Sequence, residues 1–331
     1  MNIYDVSKKA GVSIATVSRV INNNEGVSEK TRKKVLDAIE ELDYIPSALA
    51  RGLGIRSIKI IGIMCANSSD IFLANAVYHL ESSLRQFGYD CILCCTGYES
   101  DTREKYMKLL LAKKVDAVIL VGSNYVEECV EQQQYIFDAA KKVPIVLVNG
   151  ALNGKNIYCS LAHDYQAVFQ LTNQLVEKGK KDIMFLYDSN SFSGKHKRKG
   201  YKDAMEKYGL GCREIFIPFR ESHIQKTKEL MLKEIKYCPE AMICCEDAIA
   251  VAAIKFASEL NINVPEKLNI IGYNNSFIAN CCQPELTSID NKVQEVCDRA
   301  IKMLMNVLEG KQVEAIEVVS CLIKKRSTTD F

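Results

Sequence analysis

The chain has 331 residues, 48% of them hydrophobic and 25% charged, with a formal net charge of +2. This length predicts two or three domains, and the composition is typical of a soluble folded protein and excludes a disordered chain. No run approaches the roughly 20 apolar residues of a membrane helix, and the N-terminus lacks a signal-peptide core, so we expect a cytoplasmic protein without a membrane partner.

The surplus positive charge lies near the N-terminus. Residues 1–56 hold nine Lys and Arg against seven Asp and Glu, which accounts for the whole net charge of +2. A surplus this small does not indicate nucleic-acid binding by itself.

The 14 cysteines raise the question of a disulfide or metal framework. Cys91 and Cys94 form a CxxC inside an apolar run typical of a buried strand, and Cys244 and Cys245 lie in another such run. No second CxxC or nearby His pair completes a zinc site. We therefore predict small buried side chains in a reducing compartment and no metal.

The first 53 residues predict three helices and no strand. The helices are expected over 3–10, 14–22 and 29–42, preceded by the capping residues Asn2, Ser13 and Ser28. Apolar residues at helical spacing predict one small core, formed by Val6, Ala10, Val17, Val20, Ile21, Val35, Ile39 and Leu42. The first two helices are joined by a tight turn at Gly11, which predicts a helix-turn-helix.

The second helix of such a motif enters the major groove of DNA. Its N-terminal residues Ile14 and Ala15, with Arg19 one turn later on the same face, are expected to reach base edges. Arg19 can donate two hydrogen bonds to guanine O6 and N7. Short polar residues suited to phosphates or base edges complete the predicted surface, namely Ser13, Thr16, Ser18 and Asn22.

From residue 58 onward, apolar strands alternate with amphipathic helices. Strands are predicted over 58–65, 90–95, 117–121, 144–148, 182–186, 241–245 and 269–273, and helices include 72–87 and 101–112, the latter opened by an Asp101/Glu104 capping box. Continuous apolar strands separated by helices indicate parallel sheets covered on both faces. Seven predicted strands with their helices are more than one sheet holds comfortably, so we predict two doubly wound lobes. A ligand would bind in the cleft between them, beyond the carboxyl ends of the strands.

Three domains follow from this pattern. We predict a helix-turn-helix head at 1–46, a hinge and linker at 47–57, and a two-lobed domain at 58–331. The first lobe is expected to comprise about 58–158 and 289–318, and the second about 159–288 and 319–331.

Residues 3–53 closely resemble the DNA-binding head of the lactose/galactose-repressor (LacI/GalR) family. Weaker marks of the family continue to the C-terminus: Arg198 in a KRKGY segment, the pair Glu246-Asp247, IIGYNN at 270–275, PELTSI at 284–289 and KKRST at 324–328. The face formed by Ile14, Ala15 and Arg19 is most similar to the branch that controls carbon catabolism. The resemblance implies an all-α head and an α/β sensor of the two-lobed periplasmic-binding-protein type. It also implies a sequence-specific transcription regulator, expected to be a repressor, whose affinity for operator DNA is controlled by a small metabolite.

The resemblance further implies a hinge helix whose leucine wedges into the minor groove at the centre of the operator. The segment ALARGL at 48–53 matches it, which makes Leu53 the wedge and assigns Ala50 and Arg51 to the DNA surface. Ser47, which belongs to this surface, stands where the family usually has Asn; Ser can also cap a helix. Two half-sites of a pseudo-palindromic operator imply a homodimer. The chain stops three residues after KKRST, without the heptad extension of tetrameric relatives.

The family holds its effector between the lobes with an Arg, several Asn or Asp and an aromatic ring. Arg198 matches that arginine by its Arg-x-Gly-aromatic setting, and a guanidinium suits paired sugar hydroxyls or an anionic group. Residues expected just after strands, where the cleft should open, are Asn149, Glu246, Asp247 and Asn274, and Phe72 could stack on a ligand or lie in the core. Glu246 and Asn274 depart from the usual Asn and Asp, which changes the pattern of hydroxyls that can be bound. We expect the effector to be a sugar or a sugar derivative.

Three other functions are compatible with parts of this sequence. An enzyme lacks support because no G-x-S-x-G, Walker loop or GxGxxG is present and the four histidines show no metal spacing; no cofactor is predicted. A periplasmic sugar-binding protein is opposed by the helical head and the missing signal peptide. A catabolite-control regulator whose corepressor is a phosphorylated carrier protein would use Arg299 and Lys302, on a helix predicted over 292–308, as phosphate partners.

Overall fold

The computed structural model describes residues 2–21, 24–44, 57–126, 130–218 and 223–330. The head consists of helices α1 (Ile3–Ala10), α2 (Ile14–Ile21) and α3 (Glu29–Glu41). The backbone N–H groups of Tyr4 and Asp5 donate to the side chain of Asn2, and the Asn2 N–H donates to the Asp5 carboxylate. Asn2 is therefore the predicted cap of α1, and Asp5 completes a capping box that was not predicted from the sequence.

The other two helices of the head also begin at their predicted caps. The backbone N–H of Thr16 donates to Ser13 Oγ over 3.2 Å, and that of Thr31 donates to Ser28 Oγ over 3.3 Å. Helix α1 ends at Gly11, whose φ of 68° lies in the left-handed region that glycine adopts without strain.

The core of the head is formed by the predicted apolar residues. Val6, Val17 and Val35, one from each helix, are fully buried. The remaining predicted members belong to the same cluster, namely Ala10, Val20, Ile21, Ile39 and Leu42. The predicted three-helix packing is therefore confirmed.

The first lobe is built on a parallel sheet of six strands in the order β11-β5-β4-β3-β1-β2. Its strands are β1 (Ile60–Cys65), β2 (Asp90–Cys95), β3 (Ala117–Val121), β4 (Ile145–Val148), β5 (Ile157–Ala162) and β11 (Ile316–Val319). The helices of this lobe are α4 (Ile71–Gln86), α5 (Ser100–Ala112), α6 (Val130–Ala140) and α11 (Val293–Leu308). Every residue of β3 is buried, because helices cover both faces of the sheet.

The second lobe repeats this architecture with the strand order β12-β10-β9-β8-β6-β7. Its strands are β6 (Ile183–Tyr187), β7 (Arg213–Phe216), β8 (Ala241–Cys244), β9 (Asn269–Tyr273), β10 (Thr287–Asp290) and β12 (Leu322–Lys324). Its helices are α7 (Asp164–Glu177), α8 (Phe192–Lys207), α9 (Ile224–Glu234) and α10 (Asp247–Glu259). All neighbours are parallel except β10 and β12, which pair antiparallel. The predicted fold class, a helical head with two doubly wound lobes, is confirmed.

The chain crosses between the two sheets at 162–164, 290–293 and 319–322. The crossing predicted at 158 falls inside β5, which pairs with β4 and β11, so the first sheet keeps the chain to Ala162. The other two lobe boundaries, predicted after 288 and after 318, also lie one or two residues later, because β10 continues to Asp290 and β11 to Val319. The bounds of the head and the hinge stay predictions.

The sequence did not predict β5, β7, β10, β11 and β12 as strands. Strands β7, β11 and β12 lie at sheet edges with much of their length exposed, so they lack a continuous apolar run. The capping box predicted at Asp101 is wrong, because α5 begins one residue earlier, after Glu99, without a side-chain cap.

The described cysteines are free thiols. Cys94 and Cys244 are buried, as predicted for core strands, but others are not: Cys95, Cys212, Cys238 and Cys281 are exposed. Cys95 is exposed because β2 forms the edge of the first sheet. The prediction of uniformly buried cysteines is therefore wrong.

Candidate functional site

Helix α2 presents a polar face to solvent. Ala15 and Arg19 are exposed, whereas Val17 and Val20 are buried on the opposite face. The Arg19 guanidinium has no hydrogen-bond or ion-pair partner among the described residues, so its donors are available to a ligand. Ile14, which we expected at a base edge, is half-buried and packs against the core of the head. The exposed face therefore centres on Ala15 and Arg19.

Two hydroxyls lie at the start of α2. Ser13 Oγ and Thr16 Oγ1 are 2.9 Å apart and share a hydrogen bond. Hydroxyls and free N–H groups at a helix N-terminus suit a phosphate oxygen. Ser18 is half-buried on the same helix. Other residues predicted to contact DNA lie outside the described ranges, namely Asn22, Ser47, Ala50, Arg51 and Leu53.

A cavity of about 640 Å³ opens between the lobes at the carboxyl ends of the strands. The first lobe contributes Asp70, Phe72, Leu73, Tyr98, Glu99, Arg103, Gly122, Ser123, Asn124, Val126, Gln132 and Asn149. The second lobe contributes residues 188–191, 193–195, Lys197, Cys245, Glu246 and Asn274. Ser123 Oγ donates to Ser191 Oγ over 2.9 Å and bridges the two lobes. This position is the one that doubly wound folds use for ligands.

Four of the six residues predicted to contact the effector line this cavity, namely Phe72, Asn149, Glu246 and Asn274. Asn149 and Asn274 both adopt positive φ angles, 66° and 89°, at the ends of their strands. Such angles are tolerated best by Gly and Asn. Phe72 and Asn274 also border a smaller adjoining cavity of about 350 Å³.

Arg198 does not line the cavity, contrary to prediction. Its Nε and Nη2 donate to the Glu214 carboxylate over 2.9 and 3.2 Å, and its Nη1 donates to Asn190 Oδ1 over 2.9 Å. The guanidinium also stacks 3.9 Å above the Tyr187 ring, and the hydrogen bonds to Glu214 raise the pKa of Arg198. Because each helical residue is rotated by about 100° from the last, the cavity receives Lys197 instead.

Asp247 is also absent from the cavity wall, and this prediction is corrected too. Its carboxylate is buried and accepts hydrogen bonds from the Ser276 N–H at 2.6 Å, the Ser276 hydroxyl at 2.7 Å and the Ser288 hydroxyl at 2.5 Å. Burial raises the pKa of Asp247. Asp247 therefore fixes the loop after β9, which carries Asn274 to the cavity.

Lys197 is a buried cation of the cavity, contributed by the second lobe as Arg103 is by the first, and the sequence did not point to it. Its Nζ donates to the Cys245 carbonyl over 3.1 Å and lies 3.7 Å from the centre of the Tyr273 ring. Helical spacing could have found it, because Lys197 precedes the buried Gly200 and Tyr201 by three and four residues.

Three carboxyl groups surround this part of the cavity: Asp70 from the first lobe, and Asp188 and Glu246 from the second. Asp70 caps α4 by accepting the Leu73 N–H at 2.8 Å. Burial, together with the negative charges of Asp188 and Asp70, raises the pKa of Glu246 to about 8. Burial likewise raises the pKa of Asp70. Asp188 opens the polar run DSNS directly after β6, so the strand-end criterion that found Asn149 also applied here.

Arg299, one of the two cations predicted as phosphate partners on α11, is already paired. Arg299 Nη2 lies 2.6 Å from Glu295 Oε1, and its Nη1 lies 3.8 Å from Glu317 Oε2. Lys302 is exposed. A phosphorylated carrier protein would have to displace both carboxylates from Arg299, which weakens that alternative.

Within the described ranges, no three His, Cys, Asp or Glu side chains are grouped so that they could hold a metal ion. A search of the same ranges found no helix with the length and apolar character needed to span a membrane.

Comparison with known proteins agrees with both parts of the molecule. Residues 2–47 match the model "Bacterial regulatory proteins, lacI family", and residues 172–329 match a "Periplasmic binding protein-like domain". An HTH-type transcriptional regulator of Lachnoclostridium phytofermentans is 49% identical over 333 residues, covering 100% of both chains. Catabolite control protein A of Priestia megaterium is 32% identical over 322 residues, covering 95% of each chain. The repressor PurR of Serratia proteamaculans is 32% identical over 337 residues, covering 99% of this chain and 97% of its own.

A crystal structure of the lac repressor dimer, bound to operator and the anti-inducer ONPF, has the same fold. It superposes with a TM-score of 0.84 at 24% identity and covers 99% of each chain. The helical head and both lobes are therefore shared.

Proposed function

The chain belongs to the LacI family of bacterial regulatory proteins, and we propose that it represses transcription by binding operator DNA under the control of a small metabolite. The head would supply sequence recognition, and the cavity between the lobes would bind the metabolite. The curated relatives reported above are transcription regulators, so we propose that the chain acts by binding and not by catalysis. Its place of action would be the cytoplasm, where its operator lies.

DNA recognition is proposed to centre on Arg19. This residue is exposed on the second helix of a helix-turn-helix, and its guanidinium suits the two acceptors of guanine. Leu53 remains our proposed minor-groove wedge, with Ser47, Ala50 and Arg51 beside it. A homodimer would place two heads on half-sites about one helical turn, roughly 34 Å, apart.

The cavity carries the regulatory part of the proposal. It is lined by polar and charged side chains from both lobes, so a ligand there contacts both lobes at once. A ligand that prefers one arrangement of the lobes shifts the population towards it. Operator affinity can then change by no more than the difference between the ligand affinities of the two states.

The test is an operator-binding titration of the full chain with a labelled DNA duplex, in the presence and absence of a panel of metabolites. A metabolite that fills the cavity should change operator affinity and, at 100 times its dissociation constant, stabilise the protein by about 2.7 kcal/mol. Operator binding that ignores every metabolite which stabilises the protein would refute metabolite control. Failure to prefer any DNA sequence over random DNA would refute the repressor assignment itself.

A further inference from the structure

We propose that the metabolite bound between the lobes carries a positively charged amine on a hydroxylated frame, as an amino sugar does. This inference rests on the proposed function of the cavity. It concerns the charge of the ligand, which neither the family nor its named members determine.

The first observation is the balance of charge at the centre of the cavity. Asp70, Asp188 and Glu246 place three carboxyl groups around one buried ammonium, that of Lys197. They interact across the cleft, because the negative charges of Asp188 and Asp70 both act on Glu246 while Lys197 opposes them. The carboxyl groups therefore outnumber the cation that faces them.

The second observation is that Lys197 is held against its own wall. Its Nζ donates to the Cys245 carbonyl and lies on the face of the Tyr273 ring, and both of these groups belong to the second lobe. Asp70 reaches the cavity from the opposite lobe. The Lys197 ammonium thus gives one of its hydrogen bonds to a carbonyl and one of its contacts to an aromatic ring, and neither of these partners is one of the three carboxyl groups.

The remaining cations do not correct the balance. Arg103 is also buried, but its guanidinium is held in the first lobe by the Asn124 carbonyl at 2.9 Å and the Tyr98 carbonyl at 2.6 Å, and it is not among the charges that act most strongly on Asp70 and Glu246. Lys195 lines the cavity too, but it is exposed to solvent, which screens its charge. The centre of the cavity is left short of positive charge.

The third observation concerns free acceptor capacity. Among the described residues, the Glu246 carboxyl group has no hydrogen-bond partner. Asp188 Oδ1 accepts only a weak hydrogen bond from the Cys245 thiol at 3.3 Å, as far as the described residues show. An ammonium supplies three strong donors for these oxygens. The nearby amides of Asn149 and Asn274 would suit hydroxyl groups on the rest of the ligand.

Charge then separates three classes of ligand. When the lobes close, water leaves the cavity. A neutral polyol adds no positive charge, so Glu246 has to keep its proton and the charges of Asp70 and Asp188 still outnumber that of Lys197, which is costly in a poorly solvated site. A sugar phosphate would add further negative charge to it. An ammonium compensates the excess negative charge and donates hydrogen bonds to the carboxyl oxygens. It is therefore the class of ligand that the cavity favours.

The experiment compares ligands that share one frame and differ in charge. Wild-type full-length protein is titrated with glucosamine, glucose, N-acetylglucosamine and glucose 6-phosphate, and with the corresponding galactose and mannose series, and melting temperature and operator affinity are recorded. We expect at least one amino sugar to bind at least tenfold more tightly than its neutral and N-acetylated partners, and the phosphates to bind worst. Glu246→Gln and Asp70→Asn should each reduce that preference, whereas Glu285→Gln, on the exposed surface of the second lobe, should preserve it.

Two results would overturn the proposal. One is a neutral sugar that binds as tightly as its amino partner, and the other is the absence of any response to the amino sugars. If a neutral or phosphorylated sugar alone changes operator affinity, the inference about charge fails while metabolite control stands. These comparisons are made on the wild-type protein and do not depend on the folding of a variant.

Discussion

The head and the inter-lobe cavity distribute charge in opposite ways. The head buries Val6, Val17 and Val35 and leaves Arg19 in solvent, so its functional surface is the outside of a simple core. The cavity instead gathers charged groups inside, with Lys197 buried and Glu246 half-buried beside it. The head is thus suited to an extended polyanion, and the cavity to a small ligand that must compensate charges already present.

The two regions also differ in what holds them in place. The head is one continuous segment whose caps and core are local in sequence. The cavity wall is assembled from strand ends and helix starts of both lobes, so it depends on how closely neighbouring helices pack. The variants below test this contrast, from the largest expected effect to the smallest.

The largest effect is expected for Gly200→Ala on helix α8, which carries Lys197. A Cβ atom at Gly200 would lie 2.4 Å from the Tyr165 backbone oxygen and 3.1 Å from the Phe169 nitrogen, so α7 and α8 would have to separate. We expect a loss of about 3 kcal/mol in the free energy of unfolding, measured in urea. Gly211→Ala, where a Cβ would meet no atom within 4 Å, is the matched control and should be nearly neutral. Equal stability of the two variants would show that α7 and α8 can separate without cost.

The head is tested by Arg19→Ala. Loss of a bidentate hydrogen bond to guanine should weaken operator binding by about 1–3 kcal/mol and relax the preference at one base pair. Both effects can be measured by fluorescence anisotropy on a set of operator variants. Stability should stay unchanged, because the side chain is exposed. Lys33→Ala, an exposed cation on α3, is the control. An equal loss on operator and random DNA would reduce Arg19 to a phosphate contact.

The same contrast explains what the sequence could predict. Asn2, Ser13 and Ser28 were found as caps because a cap is set by residues within one turn, and the head core was found because helical spacing is local. Asn149 and Glu246 were found because they follow apolar strands.

The errors arose where placement depends on neighbours distant in sequence. Arg198 and Lys197 are adjacent in sequence, and only the packing of α8 decides which of them faces the cavity. Asp247 follows a strand as Glu246 does, but its carboxylate accepts hydrogen bonds from Ser276, in the loop after β9, and from Ser288, in β10. The edge strands β7, β11 and β12 could not be recognised because they have 4, 4 and 3 residues and each contains Arg, Glu or Lys, whereas the edge strand β2 has 6 residues and a continuous apolar run.

The Glu246 carboxyl group, half-buried by solvent exposure but desolvated within the cavity wall, predicts a pH dependence of stability. Its pKa is raised from an ordinary value of 4.5 to about 8, so between these pH values the folded state keeps a proton that the unfolded state has released. Stability should therefore fall as pH rises through this window, by up to about 1.4 kcal/mol per pH unit from this group. Glu246→Gln should flatten the curve measured by urea unfolding from about pH 5.5 to about pH 8.5, which covers most of this window and extends just past its upper end. Glu285→Gln should not change the curve. A curve with the same slope in wild type and Glu246→Gln would contradict the raised pKa of this carboxyl group.

The smallest effect is expected for Arg198→Ala, compared with Lys197→Met on the adjacent residue. Arg198 is partly exposed, and its ion pair with Glu214 and its stacking on Tyr187 should together be worth about 1 kcal/mol after solvent screening. Lys202 Nζ lies 2.8 Å from the same Glu214, so that carboxylate keeps one cationic partner in the variant, which limits the loss.

Because Arg198 does not face the cavity, Arg198→Ala should keep the full thermal shift produced by whichever ligand stabilises the wild type. Lys197→Met keeps most of the buried aliphatic stem but removes the charge beside Glu246, so it should change ligand affinity at least tenfold. If Arg198→Ala abolished the thermal shift and Lys197→Met preserved it, α8 would have to be rotated by one residue, and Arg198 would take the place of Lys197 in the cavity.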